Sequence, residues 1–302
     1  MENTLPQQID KVTTTTMQED TKAANELANR FKKNFRAGTL RYKISAFYLG
    51  YPLELRDRVQ RMTLPEFDPP QKFVIFTSGR SGSTLLVDLI NSNPNIHCDL
   101  ELLKRRVFAP MSLIRTHAKC STQDTYGFKL LSYQLKNVQT GIRNKWMFLD
   151  RLVNKKGYKL IHLERENKAK QALSIIYAFY RGKWHNQKGS QQKQSLQFEL
   201  EPKVLYKFIK ESEILRQFET EMLQGQEYLH VSYEKDLANA DRRAATIQNV
   251  SDWIGVDAVH PETSLRKVTP SKLSTMISNK QEVIDFIANT DCAHYVPTLE
   301  KM

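Results

Sequence analysis

The chain has 302 residues, is 40% hydrophobic and carries a formal net charge of +12, which suits one large α/β domain with appendages and a partner that is acidic: a nucleotide-like ligand, nucleic acid or an anionic membrane. No uninterrupted apolar run approaches the roughly 18 residues of a membrane helix, and Met1–Pro6 shows no charged-then-apolar signal pattern, so the chain reads as soluble and cytoplasmic. Cys98, Cys120 and Cys292 form no CxxC pair and the seven histidines show no HExxH spacing, so neither a disulfide framework nor a metal site is expected.

Residues 1–20 are polar, with a Thr13–Thr16 run, and read as disordered. Residues 21–70 read as a helical N-terminal extension closed by Pro65, Pro69 and Pro70, and its basic-aromatic stretch Phe35–Tyr51 is a candidate lid or homodimer contact. The main domain, 71–302, opens with a strand at Phe73–Thr77 and a helix over Thr84–Ser92, whose Leu85, Leu86, Leu89 and Ile90 share a stripe. A short apolar segment lies around Gly127-Phe-Lys129. A second strand is expected at Leu160–Leu163, and a helix from Glu166 to Arg181. Lys183–Phe198 reads as a surface loop. A helix follows at Leu205–Leu223, a third strand at Tyr228–Ser232, then helices at Ala238–Ile254 and Ser274–Ala288 and a short tail. Strands alternating with helices predict a P-loop-like α/β fold: a central parallel sheet flanked by helices on both faces.

The most informative stretch joins the first strand to the first helix: Thr77-Ser78-Gly79-Arg80-Ser81-Gly82-Ser83-Thr84. A glycine-hinged turn entering a helix start presents converging N–H groups and a positive dipole end, which is an anion cradle. Gly79 and Gly82 permit the turn, Arg80 adds a fixed positive fork, and Ser78, Ser81, Ser83 and Thr84 add hydroxyls. The turn departs from the Walker pattern, because Ser83 stands where the phosphate-binding lysine would follow Gly82; a smaller anion held without metal is expected rather than a magnesium triphosphate. A second strand-to-helix passage, Lys159–Ser174, carries Arg165 at the strand end and Ser174 within the helix, which implies a ligand with two separated phosphate-like groups. It opens the basic stretch 159–194, with eight Lys/Arg against two acids.

In this order the two segments resemble the sulfotransferases that use 3′-phosphoadenosine 5′-phosphosulfate (PAPS), most nearly the bacterial branch acting on carbohydrates, lipids and small metabolites (the trehalose and Nod-factor sulfotransferase type). The run Gln171-Ala-Leu-Ser174 followed by Gly182-Lys-Trp184-His185 belongs to the same likeness, which spans roughly residues 72–290. The resemblance implies that Thr77–Thr84 binds the 5′-phosphosulfate and that Arg165 and Ser174 bind the 3′-phosphate. It also implies that Glu101, in Cys98-Asp-Leu-Glu101, is the base facing the acceptor. Asp99 stands second, with His97 and His117 after it. By the same likeness Lys129 lies near the reacting centre, Trp184 and His185 wall the acceptor pocket, and Tyr233-Glu-Lys-Asp-Leu237 supports the core.

Two departures stand out. Arg165 and Ser174 are nine residues apart where many members show eight, and the animal-type Arg-Lys-Gly loop is absent, leaving Lys267 and Lys272 in its place. The expectation is transfer of a sulfuryl group from PAPS, releasing PAP, without metal and without nucleic acid or a membrane span. The acceptor would be a small polyhydroxylated molecule (a sugar, lipid headgroup or secondary metabolite), modified at a hydroxyl, amine or guanidinium nitrogen. The alternatives are a P-loop kinase, which would need the missing lysine and a magnesium carboxylate, and a non-catalytic basic nucleotide- or nucleic-acid-binding module.

Overall fold

The structure, a computed structural model, describes residues 68–181, 197–266 and 272–302, together with positions 55, 59, 186–187 and 269–270. The readings of 1–20 and of the 35–51 contact lie outside the described residues, as do nearly all of those of the N-terminal extension and the 183–198 loop. The elements below belong to the unit formed by 47–302.

Five parallel strands form the sheet: β1 (Gln71–Thr77), β2 (Ile96–Glu101), β3 (Thr125–Leu131), β4 (Tyr158–Glu164) and β5 (Tyr228–Ser232), in the order β2-β3-β1-β4-β5. The helices are α1 (Ser83–Ile90), α2 (Pro110–Lys119), α3 (Lys145–Asp150), α4 (Lys168–Arg181), α5 (Pro202–Leu223), α6 (Ala240–Ile254), α7 (Lys280–Ala288) and α8 (Val296–Glu300). The central strand β1 is apolar on both faces, as a parallel strand covered on both sides must be. Val74 and Phe76 enter a core with α2, α3 and α5, whereas Phe73 and Ile75 enter a second core with α1 and α6. The expected P-loop-like α/β architecture is what the chain adopts.

Local chemistry sets several boundaries. Pro202 starts α5, where its missing N–H costs nothing. Asn144 and Asn239 cap α3 and α6 with their side-chain oxygens. The final helix expected over 274–288 is interrupted: only 273–275 and 280–288 are helical. The intervening backbone is drawn to another segment. Phe198 N donates to Met276 O and Ser278 N to Phe198 O, both at 3.0 Å, while Asn279 exchanges two bonds with Leu200. The expected tail instead ends in α8, pinned by the fully buried Leu299.

β2, α2 and α3 were not expected, and β3 only as a short apolar segment. β2 turns Ile96 and Cys98 into the core with α1 and α6 and carries polar residues between them, and α2 starts at Pro110 after a turn with no capping side chain. Among the described residues no helix is long and apolar enough to cross a membrane.

The strand order fixes where a ligand can bind. From β1 the chain passes to one side of the sheet and from β4 to the other, so a crevice opens between the C-terminal ends of β1 and β4. Such switch points are the ligand sites of open α/β sheets.

Candidate active site

The turn 78–82 leaves β1 at this crevice. Thr77 anchors it: its hydroxyl donates to Leu163 O of β4 at 2.6 Å and lies 2.6 Å from Ser81 Oγ. Gln171 of α4 holds the other side, donating through Nε2 to Ser78 Oγ at 2.8 Å and Gly79 O at 2.6 Å. Ser78 and Ser81 are therefore buried in the scaffold of the turn. Arg80 is the one non-glycine described residue in the left-handed region (φ 59°), a conformation that costs about 1–2 kcal/mol and is held by the surrounding bonds. Gly82 has φ 91°, and a Cβ there would lie 2.4 Å from Tyr233 Cδ2, so the position requires glycine twice over. Gly79 is different: nothing lies within 4 Å of where its Cβ would be, and the backbone is open to an approaching group. α1 then begins without a side-chain cap.

Arg165 and Ser174, expected at a separate second site, are brought onto the turn itself. Arg80 Nε donates to Ser174 Oγ at 3.1 Å, and Arg165 donates through Nη1 to Arg80 O at 3.0 Å. Ser174 Oγ also lies 2.9 Å from Thr269 Oγ1. Both arginines are desolvated. Burial, and then the Arg165 guanidinium, push the Arg80 pKa down to about 10; burial also lowers that of Arg165, against the pull of Tyr233 and Glu234. Two like charges in a crevice are stabilised by an anion between or beside them. Arg165 Nε, buried, has no hydrogen-bond acceptor; Glu234 Oε1 is 3.8 Å away.

The passage from β4 to α4 differs from the first turn. The N–H groups of Glu166 and Asn167 donate to Glu234 at 2.9 and 3.3 Å, so the protein's own carboxylate occupies that helix start. Tyr233 and Glu234, read from the sequence as core support, thus build the site. The Tyr233 ring backs Gly82 and lies 5.0 Å from the Arg165 guanidinium. Two aromatic-acidic residues directly after a strand at the switch point were the available signal.

Glu101 and Lys129 meet as an ion pair, Lys129 Nζ to Glu101 Oε1 at 3.2 Å, and Lys129 also donates to Thr84 Oγ1 at 3.3 Å. Lys129 is only 3% exposed, so it is a core lysine linking α1 to the carboxylate. Gln134 Nε2 donates to the second oxygen of Glu101 at 2.7 Å. A bulge directs this geometry. Asp99 pairs with Phe128 but Glu101 pairs with Lys129, so Leu100 is an extra residue, and the two carboxylates face opposite sides of β2.

Asp99 belongs to a different constellation. Tyr126 Oη donates to it at 2.9 Å, His117 Nδ1 lies at 2.9 Å and His97 Nε2 at 3.2 Å. Burial would raise its pKa, but the bonds with His117, His97 and Tyr126 hold it well below the usual carboxylate range. His97 and His117 are engaged there with it. Trp184, His185 and Lys267 lie outside the described residues, and Lys272 is exposed. Burial pushes the Cys98 thiol far up, in keeping with an inert cysteine.

No family model matches the chain, and no curated protein matches it. Among solved structures it is similar to a sulfotransferase from Alicyclobacillus acidocaldarius, at 12% identity and a TM-score of 0.42, over 76% of this chain and 96% of that one. It is also similar to mouse sulfotransferase SULT7A1 complexed with PAP, at 14% identity and a TM-score of 0.38, over 78% of this chain and 74% of the other. The functional reading rests on the groups of the crevice rather than on these likenesses.

Proposed function

We propose that the chain is a PAPS-dependent sulfotransferase. The observation that carries the reading is the pair of desolvated guanidiniums, buried Arg165 and half-buried Arg80, at the sheet's switch point on a turn that lacks a Walker lysine. The residues suit PAPS. The open backbone at Gly79 and the uncapped start of α1 would take the 5′-phosphosulfate; Arg80, Arg165 and Ser174 would take phosphate oxygens. PAPS supplies the sulfuryl group and leaves as PAP.

The chain's part is positional and electrostatic. Glu101 accepts the proton of the acceptor hydroxyl or nitrogen as the new bond to sulfur forms. Its carboxylate is aimed by Lys129 and Gln134. Lys129, which reaches Thr84 at the start of α1, and Arg80 lie where charge gathers on the departing phosphate, so their effect grows toward the transition state. The acceptor is a small polyhydroxylated molecule such as a sugar, lipid headgroup or secondary metabolite.

The test compares two labelled donors, PAPS carrying labelled sulfate and magnesium ATP carrying a labelled terminal phosphate, against a panel of such acceptors. Label transfer from PAPS by the wild type, lost in Glu101→Gln, is expected. Transfer from ATP instead would overturn the reading.

A further inference from the structure

A face remote from the crevice carries a second feature. The helical stretch 145–155, formed by α3 and the wide turn after it, buries Phe148, Leu149 and Leu152 in the core. Its outer side is not purely polar: Trp146 is 40% and Met147 59% exposed. Around them stand the exposed cations Arg143, Arg151, Lys155 and Lys156. These four form no ion pair among the described residues. Acids also lie on this side: Asp150, whose Oδ1 is engaged by Asn154 Nδ2 at 2.7 Å, and the exposed Glu221 and Glu227, on either side of the Gln224 that Trp146 bonds.

We propose that this face docks on an anionic lipid surface. Large apolar side chains ringed by Lys and Arg match a bilayer interface, where the cations meet anionic headgroups and the apolar groups enter the acyl boundary. The geometry favours lipid over nucleic acid. The Trp146 indole N–H already donates to Gln224 O at 3.0 Å, so the ring can enter an apolar phase without carrying an unpaired donor. Met147 adds nothing to a stacking platform but adds apolar area to insertion. Lys155 and Lys156 precede the N-terminal end of β4, whereas Arg165 follows its C-terminal end. Docking therefore leaves the crevice open, and it stands or falls independently of the proposed catalysis.

The test is co-sedimentation of the full chain with phosphatidylcholine vesicles, with and without roughly a third phosphatidylserine. Binding should require phosphatidylserine and weaken in raised salt. Trp146→Ser with Met147→Ser should weaken it about tenfold. Arg151→Glu, Lys155→Glu and Lys156→Glu together should weaken it by about a hundredfold or more, from about a fivefold loss for each charge removed. Unchanged thermal unfolding of these surface variants shows that they fold. No vesicle binding, equal binding to neutral vesicles, unaffected binding by the variants, or tighter binding to single-stranded oligonucleotide through the same residues would each overturn the proposal.

Discussion

The two glycines of the turn separate packing from ligand approach. In Gly82→Ala, the left-handed φ of 91° costs about 1–2 kcal/mol. The new Cβ, 2.4 Å from Tyr233 Cδ2, adds an overpacking cost of about 1–3 kcal/mol. The total of about 2–5 kcal/mol corresponds to a Tm lower by about 4–20 °C, at about 2–4 °C per kcal/mol for a domain of this size. Thermal unfolding measures it, and a double-mutant cycle with Tyr233→Ala isolates the clash. The double variant should recover about 1–3 kcal/mol relative to additivity, because the strained φ remains while the ring is gone. Gly79→Ala should change stability by no more than about 0.5 kcal/mol, since nothing lies within 4 Å. It should nevertheless weaken PAP binding, because the methyl fills the space a phosphate would approach. A Gly82→Ala protein as stable as the wild type, or additive with Tyr233→Ala, would refute the packing argument. Unchanged PAP affinity in Gly79→Ala would refute the assigned approach.

Glu101→Gln should lower kcat by about 10²–10⁴ while PAP affinity, read by calorimetry, stays level. Asp99→Asn should instead cost about 1.5–3 kcal/mol of unfolding free energy, through its bonds with His117, His97 and Tyr126, and leave PAP affinity unaltered. Glu234→Ala should lower stability by about 1–2 kcal/mol and speed amide exchange at Glu166 and Asn167, whose N–H groups lose their acceptor. Glu211 has its pKa raised by burial to about 7, with Lys207 opposing. The folded state thus holds a proton the unfolded chain has released, so stability should fall as pH rises from the ordinary carboxylate range toward 7 and level off above it. Chemical denaturation across that range should show the slope, and Glu211→Gln should remove it.

Much of the fold was legible because its signals are local. The apolar runs of β1 and β4, the stripe of α1 and the helical spacing of α4, α5 and α6 lie within single windows. What was not legible depends on contacts distant in sequence. Phe198 and Leu200 draw Met276–Asn279 out of the final helix, and although Asn279 stands at the N-cap position of α7, that distant pairing leaves no local mark. β2 puts only Ile96 and Cys98 into the core, so its run is too weakly apolar to stand out as a strand.

The turn 77–84 was legible as a tight strand-to-helix passage from its glycines, hydroxyls and arginine. That Ser78 and Ser81 turn inward was not, because their partners, Gln171 and Thr77, are fixed by tertiary packing. Strand alternation would set Asp99 and Glu101 on one face, and only the register with β3 reveals the extra Leu100 that separates them. The convergence of Arg165 and Ser174 on Arg80, and the Tyr233–Glu234 buttress, arise from the parallel pairing of β1, β4 and β5.

The most direct measurement is calorimetric titration of PAP, AMP and ATP in chelator, repeated with magnesium and with Arg165→Ala. The account predicts PAP binding that is tighter than AMP, indifferent to magnesium, and weakened by at least about tenfold without the Arg165 guanidinium. Preference for magnesium ATP, or an Arg165→Ala protein that binds PAP as the wild type does, would contradict it.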